Sequence, residues 1–377
     1  MRIVRPPRGR TVHKDQQRIR YLDGLRGVSI ALVMVWHFYG PTYARFLPFG
    51  DAYAGVPVIS DGWAGVEMFF LISGFVIFMT LERSSGFVDF MLRRWKRLFP
   101  AMLVASVLLF AVDRLTDLQG PYSGARLQDV VPGLLFVSPA FLRAIVPDIR
   151  SLDNVFWSLY AEVAFYIIFA LAYRVVGWRW AVAFLVLLSL IARPGLGLLA
   201  EIGAPGAVQR LLAPMGWLNI GKFGWFAAGA LFAKWFESRD RRLFAVGLGV
   251  AALAIVQDSL VPGRGVSNIV MMVALTLLFC TAPLLPALQR VLASRPFQFM
   301  GLISYPLYLI HSNLGVSLIA RLAERAPGLP ASLVPVPVIV LVCTLAWVIA
   351  TRAEPAVARA LSPPLARFRA MLGVQAS

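Results

Sequence analysis

Long apolar runs separated by short polar segments recur about ten times along this chain, at roughly 24–40, 62–81, 98–113, 155–173, 178–193, 217–235, 243–257, 267–285, 298–318 and 332–350. No period-two alternation of apolar and polar residues runs through them, and most approach the roughly 17–25 residues that carry a helix across a bilayer. Lipid admits only elements that satisfy their own backbone hydrogen bonds. The pattern therefore predicts an all-α integral membrane protein, a polytopic bundle of about ten transmembrane helices. The runs at 98–113, 178–193 and 243–257 are short. The stretch 130–146, VVPGLLFVSPAFLRAIV, contains Pro132 and Pro139 and is predicted to be interfacial or re-entrant rather than an eleventh span.

Composition agrees with this class. Of the 377 residues, 59% are hydrophobic and only 15% charged, against about 25% charged in soluble domains. The formal charge of +17 invites a nucleic-acid reading, but its placement argues against one. Basic residues concentrate in alternate loops: Arg83, Arg93, Arg94, Lys96 and Arg97 in the second, and Lys234, Arg239, Arg241 and Arg242 in the sixth. This positive-inside bias predicts that both termini are cytoplasmic, with the basic surface touching anionic headgroups in a secondary role. Residues 1–20 read as a basic cytoplasmic tail in which His13 is solvated, 21–355 as the transmembrane domain and 356–377 as a cytoplasmic C-terminal tail. The tail is not a signal peptide, because the apolar run after it contains Arg26 and lacks a small-residue cleavage site. Cys280 and Cys343 fall within spans and read as buried structural thiols, without disulfide or metal-ligand spacing.

Polar groups inside the spans carry the candidate chemistry. Arg26 and His37 lie eleven residues apart, about three helical turns plus 20°, so they share one face at depths about 16 Å apart. The predicted topology puts Arg26 at the cytoplasmic end and His37 in the outer half. Ser158, Glu162 and Tyr166 form an i, i+4, i+8 stripe, and Ser304, Tyr308 and His311 share another face. His37, Glu162 and His311 thus bring proton-moving groups from three spans to similar predicted depth, which points to a single site. Glu67 admits a plainer reading, an ion pair with the intramembrane Lys222. The segment FMLRRWKRLFP reads either as a positive-inside anchor or, with Arg26 on the same side, as a guanidinium cluster that binds a phosphorylated cofactor.

The same residues carry a resemblance. YLDGLRGVSIALVMVWHF, with Arg26 and His37, resembles the Arg, ten residues, His pattern of the type-3 membrane acyltransferases, bacterial O-acyltransferases of surface polysaccharides and related acceptors. GVEMFFLISGF carries Glu67 at an acidic position of that family, and RRWKRLFP places Arg94 and Arg97 at its spaced arginines. WSLYAEVAFY puts Glu162 at a further acidic position, with Val163 where a second Glu is usual. GLISYPLYLIH ends in His311, and Glu354-Pro355 resembles the block after the last span. Many relatives add a secreted SGNH-type domain. This sequence stops at Ser377, so such acceptor handling is expected to be absent or to lie in a separate protein.

The resemblance implies transfer of an acyl group, most often acetyl, from acyl-CoA to a hydroxyl of a carbohydrate, glycolipid or related acceptor at the bacterial inner membrane. Arg26, Arg93, Arg94 and Arg97 are then expected to hold CoA phosphates. His37 is expected to act as general base or transient acyl carrier, with Glu162 or His311 orienting or charge-balancing it. No tightly bound cofactor and no metal are expected. A proton-coupled transporter is the competing reading, since intramembrane His and Glu also fit transport. It predicts pseudo-symmetric halves, and the Arg–His pattern and the WSL block each occur once.

Overall fold

A computed structural model describes residues 11–195, 202–203, 206–261 and 263–371. The His13 side chain, residues 1–10 and residues 372–377 lie outside the described residues, as does part of the predicted 194–216 loop. Among the described residues the protein is helical throughout, with no strand. Each of the ten apolar runs falls largely within helix. The main helices are α1 (Thr11–Tyr39), α2 (Gly65–Glu82), α3 (Phe87–Leu115), α4 (Trp157–Leu190), α5 (Phe223–Ser238), α6 (Arg241–Ser259), α7 (Val266–Thr281), α8 (Arg295–Ile310), α9 (Val316–Arg325), α10 (Pro335–Val348) and α11 (Glu354–Met371).

Six described helical segments are long and apolar enough to cross a membrane, and seven if α7 and Pro286–Leu292, bent by 106°, form one broken span. That is fewer than the ten predicted, for identifiable reasons. The runs at 155–173 and 178–193 merge into one element, broken only by Gly177, whose φ of 76° no helix accommodates. The run at 217–235 yields α5, only 16 residues long. Pro132 and Pro139 divide the 130–146 stretch into helices of five and four residues, too short to span. The predicted tails are also partly helical: α1 begins at Thr11, and α11 runs through 356–371.

Two close helix crossings organise the bundle. A Cβ on Gly74 of α2 would lie 2.1 Å from the Phe226 carbonyl oxygen, and one on Gly229 of α5 would lie 2.1 Å from that of Leu71. The two backbones therefore touch, as small residues permit in lipid, where packing rather than hydrophobicity drives association. α1 and α8 meet similarly, with Gly301 against the Asp23 carbonyl. This second crossing carries the site, because α1 bears His37 and α8 ends at His311. There the backbone relaxes into a π-turn, His311–Gly315, before α9 begins. Such turns recur at functional sites because they re-aim side chains out of the helical register.

Candidate functional site

Three of the four predicted arginines converge on a cavity of about 130 Å³. Arg26 comes from α1 and Arg94 and Arg97 from α3, where a spacing of three puts them on one face. Between Val66 and Ile77 of α2 the cavity wall extends eleven residues, about 16 Å. The arginines lie towards the Ile77 end, and Ser158 and Tyr308 line the other. Arg26 pairs with Asp23 at 2.6 Å and Arg97 with Glu354 at 3.0 Å. Arg94 donates to Thr80 Oγ1 at 2.9 Å, while its buried Nε has no hydrogen-bond partner among the described residues. An orphaned guanidinium N–H is an unfilled demand for an acceptor.

Arg93 does not join them. Its Nε donates to buried Asp89 at 3.0 Å, one helical turn back, and Arg369 of α11 reaches the same carboxylate at 2.7 Å. Arg93 is not among the residues that line the cavity: Asp89 joins Arg369 of α11 to α3, and Arg93 shares that carboxylate in an ion pair one turn along α3. The i, i+4 spacing of Asp89 and Arg93 was a legible signal for it.

Glu162 lines the cavity rather than sitting beside His37. Its Oε1 accepts from Ser73 Oγ at 2.5 Å and from Tyr166 hydroxyl at 2.7 Å, so the predicted stripe on α4 forms as expected. The partner of His37 is His311. His37 Nδ1 and His311 Nε2 are 2.9 Å apart, and both side chains are buried. His311 Nδ1 lies 3.0 Å from two acceptors, the carbonyl oxygens of Leu307 and Tyr308. A carbonyl offers only lone pairs, so in the neutral ring Nδ1 carries the hydrogen and Nε2 is an acceptor. His37 must then donate from Nδ1, which leaves its own Nε2 with an available lone pair. This chain of assignments places the His37 lone pair on Nε2 and makes His311 the group that fixes its tautomer.

Glu67 forms the predicted pair with Lys222, within a larger buried cluster. Lys222 also reaches Asp258 Oδ1 at 3.0 Å, and Asp258 accepts from Trp225 Nε1 at 2.8 Å and pairs with Arg193 at 2.5 Å. Arg264 stacks over Trp63 at 3.7 Å and completes the cluster. These groups tie α2, α5 and α6 together. Removing one member would leave an uncompensated buried charge, so the cluster reads as structural.

A family model described as an acyltransferase domain, acyltransferase 3, matches residues 19–352. The chain belongs to the acyltransferase 3 family. It is 29% identical to acyltransferase MdmB of Streptomyces mycarofaciens over 163 residues, 42% of this chain and 40% of that protein. It is likewise 29% identical to an O-acetyl transferase of Shigella phage Sf6 over 160 residues, 40% of this chain and 44% of that protein. The chain thus spans less than half the length of these curated relatives in the matched regions. No solved structure matches it. Family membership and the long apolar helices together make this a multi-pass membrane protein.

Around the histidines of this acyltransferase 3 chain lie residues that sequence reasoning missed. Tyr43, in the 3-10 segment Pro41–Phe46 after α1, stacks on His37 with ring centres 5.3 Å apart. Its hydroxyl meets Ser312 Oγ at 3.0 Å. Asp153, fully buried at the entry to α4, accepts from the backbone N–H of Asn313 at 2.7 Å and of Val155 at 3.1 Å. Burial pushes its carboxyl up to about 6, against the pull of those N–H groups. Asp153 therefore anchors the π-turn that holds His311 and Ser312. The only sequence signal was an Asp immediately before a helix start, the position of an ordinary N-cap. Tyr308 joins the two regions: its hydroxyl meets Ser158 Oγ at 2.8 Å at the cavity end, and its carbonyl accepts from His311.

Proposed function

We propose that the protein is a membrane-bound O-acyltransferase that moves an acyl group, most simply acetyl, from acyl-CoA to a hydroxyl of a carbohydrate or glycolipid acceptor. The single observation that carries this reading is the tautomer chain, which leaves Nε2 of His37 as a base whose tautomer His311 sets. The arginine-lined cavity supports the donor assignment. Arg26, Arg94 and Arg97 would bind CoA phosphates, with the unfilled Arg94 Nε–H as one donor. The acyl end would approach along the cavity towards Tyr308. Glu162, held by Ser73 and Tyr166, shapes the cavity wall and gives it one negative group.

In the proposed step the acceptor hydroxyl gives its proton to His37 Nε2 as its oxygen attacks the thioester carbonyl. The C–S bond breaks, and the CoA thiolate takes the proton from the imidazolium. While His37 is protonated, its Nδ1–H continues to donate to His311 Nε2, so the developing cation stays hydrogen-bonded in a buried site. The family relationship and the relatives' names, an acyltransferase and an O-acetyl transferase, support the reaction class. The charge alternation supports cytoplasmic termini with the arginines at the cytoplasmic side, and the family relationship supports a bacterial inner membrane.

The test is label transfer from acetyl-labelled CoA in vesicles containing the purified protein. His37→Ala should lower transfer by about 10²–10⁴-fold, the usual contribution of general base catalysis, with the protein present at wild-type amount. Undiminished transfer by this variant would remove His37 from the chemistry. Movement of unmodified solute without CoA release would instead favour a transporter.

A further inference from the structure

Asp153 sits where the entry to α4 meets the π-turn His311–Gly315, and four donors converge on its buried carboxylate. Its Oδ2 accepts from the Asn313 N–H at 2.7 Å and its Oδ1 from the Val155 N–H at 3.1 Å. The Asn154 N–H and the Ser312 hydroxyl also donate to it. None of the four is a cation, so backbone dipoles and one hydroxyl offset the burial of this charge. Asn313 extends the junction to two loops. Its Oδ1 accepts from the Tyr122 N–H at 3.2 Å, and its Nδ2 donates to the Leu152 carbonyl at 3.4 Å.

The hydroxyls beyond Ser312 fall into one order. An ionised carboxylate only accepts, so the single Ser312 hydroxyl hydrogen goes to Asp153. Tyr43 must then donate to Ser312 Oγ, 3.0 Å away, and its own oxygen is left to accept from the partly exposed Tyr122. The chain runs Tyr122, Tyr43, Ser312, Asp153, with one hydrogen in each link. Tyr43 is the ring stacked on His37, and Ser312 follows His311 in the π-turn. Both histidines therefore rest on the same carboxylate, one through a ring and the other through the backbone. Protonating Asp153 adds a hydrogen to a group already ringed by donors. Among those four only Ser312 Oγ can accept it, which reverses every link of the chain and weakens the acceptor facing the Asn313 N–H.

We infer that ionised Asp153 is the positioning residue of the histidine pair, holding Tyr43 against His37 and the π-turn that carries His311, and that transfer fails when it takes up a proton. The inference rests on the acyl-transfer reading for its kinetic test only. The titratable groups that share its surroundings are phenols: Tyr43 after α1, Tyr122 after α3, Tyr160 on α4 and Tyr308 on α8, with the Arg45 guanidinium acting on Tyr122. Phenols ionise near about 10 in water, far above the value of about 6 to which burial raises Asp153. From α1 and the π-turn come His37 and His311, whose own protonation cancels when two variants are compared at one pH.

The test compares the wild-type full chain with Asp153→Asn, which keeps the size of the side chain and removes its charge. Label transfer from tritiated acetyl-CoA is followed in native membrane vesicles, which bring the acceptor with them. At pH 8 the variant should be at least tenfold slower with an unchanged KM for acetyl-CoA. That deficit should shrink about tenfold by pH 5, where only about a tenth of the wild-type Asp153 is ionised. A purely structural loss would keep it constant. The second readout is the nitrogen-15 spectrum of the histidine-labelled chain in lipid nanodiscs at pH 8. His37 and His311 should each show one tautomer in the wild type and a mixture in Asp153→Asn. Ser312→Ala, which breaks the hydroxyl chain and leaves the charge, should mix them as well. A deficit independent of pH, or histidine signals in both variants identical to those of the wild type, overturns the inference. A wild type that transfers no label at any pH, with histidine signals that respond as expected, overturns the acyl-transfer reading and upholds the positioning role.

Discussion

At the histidine pair, one hydrogen determines the chemistry of two rings. Because His311 Nδ1 must donate to carbonyl oxygens, its Nε2 can only accept, and His37 is held in the tautomer that has its lone pair on Nε2. The consequence is testable by varying the acceptor alone. His311→Ala removes the partner of the His37 Nδ1–H and should lower kcat by one to two orders of magnitude, about 1.4–2.8 kcal/mol, without raising the KM for acetyl-CoA. His311→Gln offers a carbonyl oxygen in place of Nε2 and should recover much of that loss. Equal kcat in the two variants would remove His311 from the positioning role. The sequence marked His37, His311 and Glu162 as candidates because ionisable groups are expensive in lipid. It left open which of the two partnered His37, since depth along a helix says nothing about which neighbour each face meets. Asp153 and Ser312 were less legible still, because their importance comes from a π-turn that breaks helical periodicity.

At the level of helices, the apolar runs located the elements well and their ends less well. Hydrophobicity reports where a helix is buried in lipid, whereas Gly177 and the prolines of 130–146 decide where one helix stops being one element. The arginine segment was readable at finer grain than its charge. Arg94 and Arg97 share a face, and Arg93 pairs backward to Asp89. The crossing of α2 with α5 makes a sharper claim about packing. Gly74 abuts the backbone at Phe226, so no flexible side chain can yield to a larger residue there. Gly74→Val should force the helices apart, displace the cavity wall formed by Ser73, and lower the thermal midpoint of the detergent-solubilised protein by several degrees. An unchanged midpoint would mean that the crossing is looser than the backbone contact implies. Residues with no close neighbour provide the control: Gly55→Val, whose Cβ meets nothing within 4 Å, should leave the midpoint where it is.

Across the whole molecule, the arginine-lined cavity and the histidine pair define a direction. The arginines occupy one end, and the histidines lie further along α1 and α8. Composition had announced the class of protein, and its charge alternation predicts an orientation, but the arginine-lined cavity arises only where five helices, α1, α2, α3, α4 and α8, meet, which no single run encodes. If the arginines bind the donor, acyl-CoA can be used from one side only. In sealed vesicles of known orientation, impermeant acetyl-CoA should support transfer when supplied on the side where the arginine cavity opens, and not from the opposite side. Arg94→Ala should raise the KM for acetyl-CoA by about tenfold or more, since a hydrogen bond to a charged group is worth about 1.5–3 kcal/mol. The effect should appear mainly in KM, because Arg94 lies towards the Ile77 end of the cavity, away from Tyr308, and would hold a part of the donor that does not react. Transfer supported equally from both sides, or an Arg94→Ala variant whose defect is confined to kcat, would place the donor elsewhere and leave the arginine cluster as an anchor at the membrane boundary.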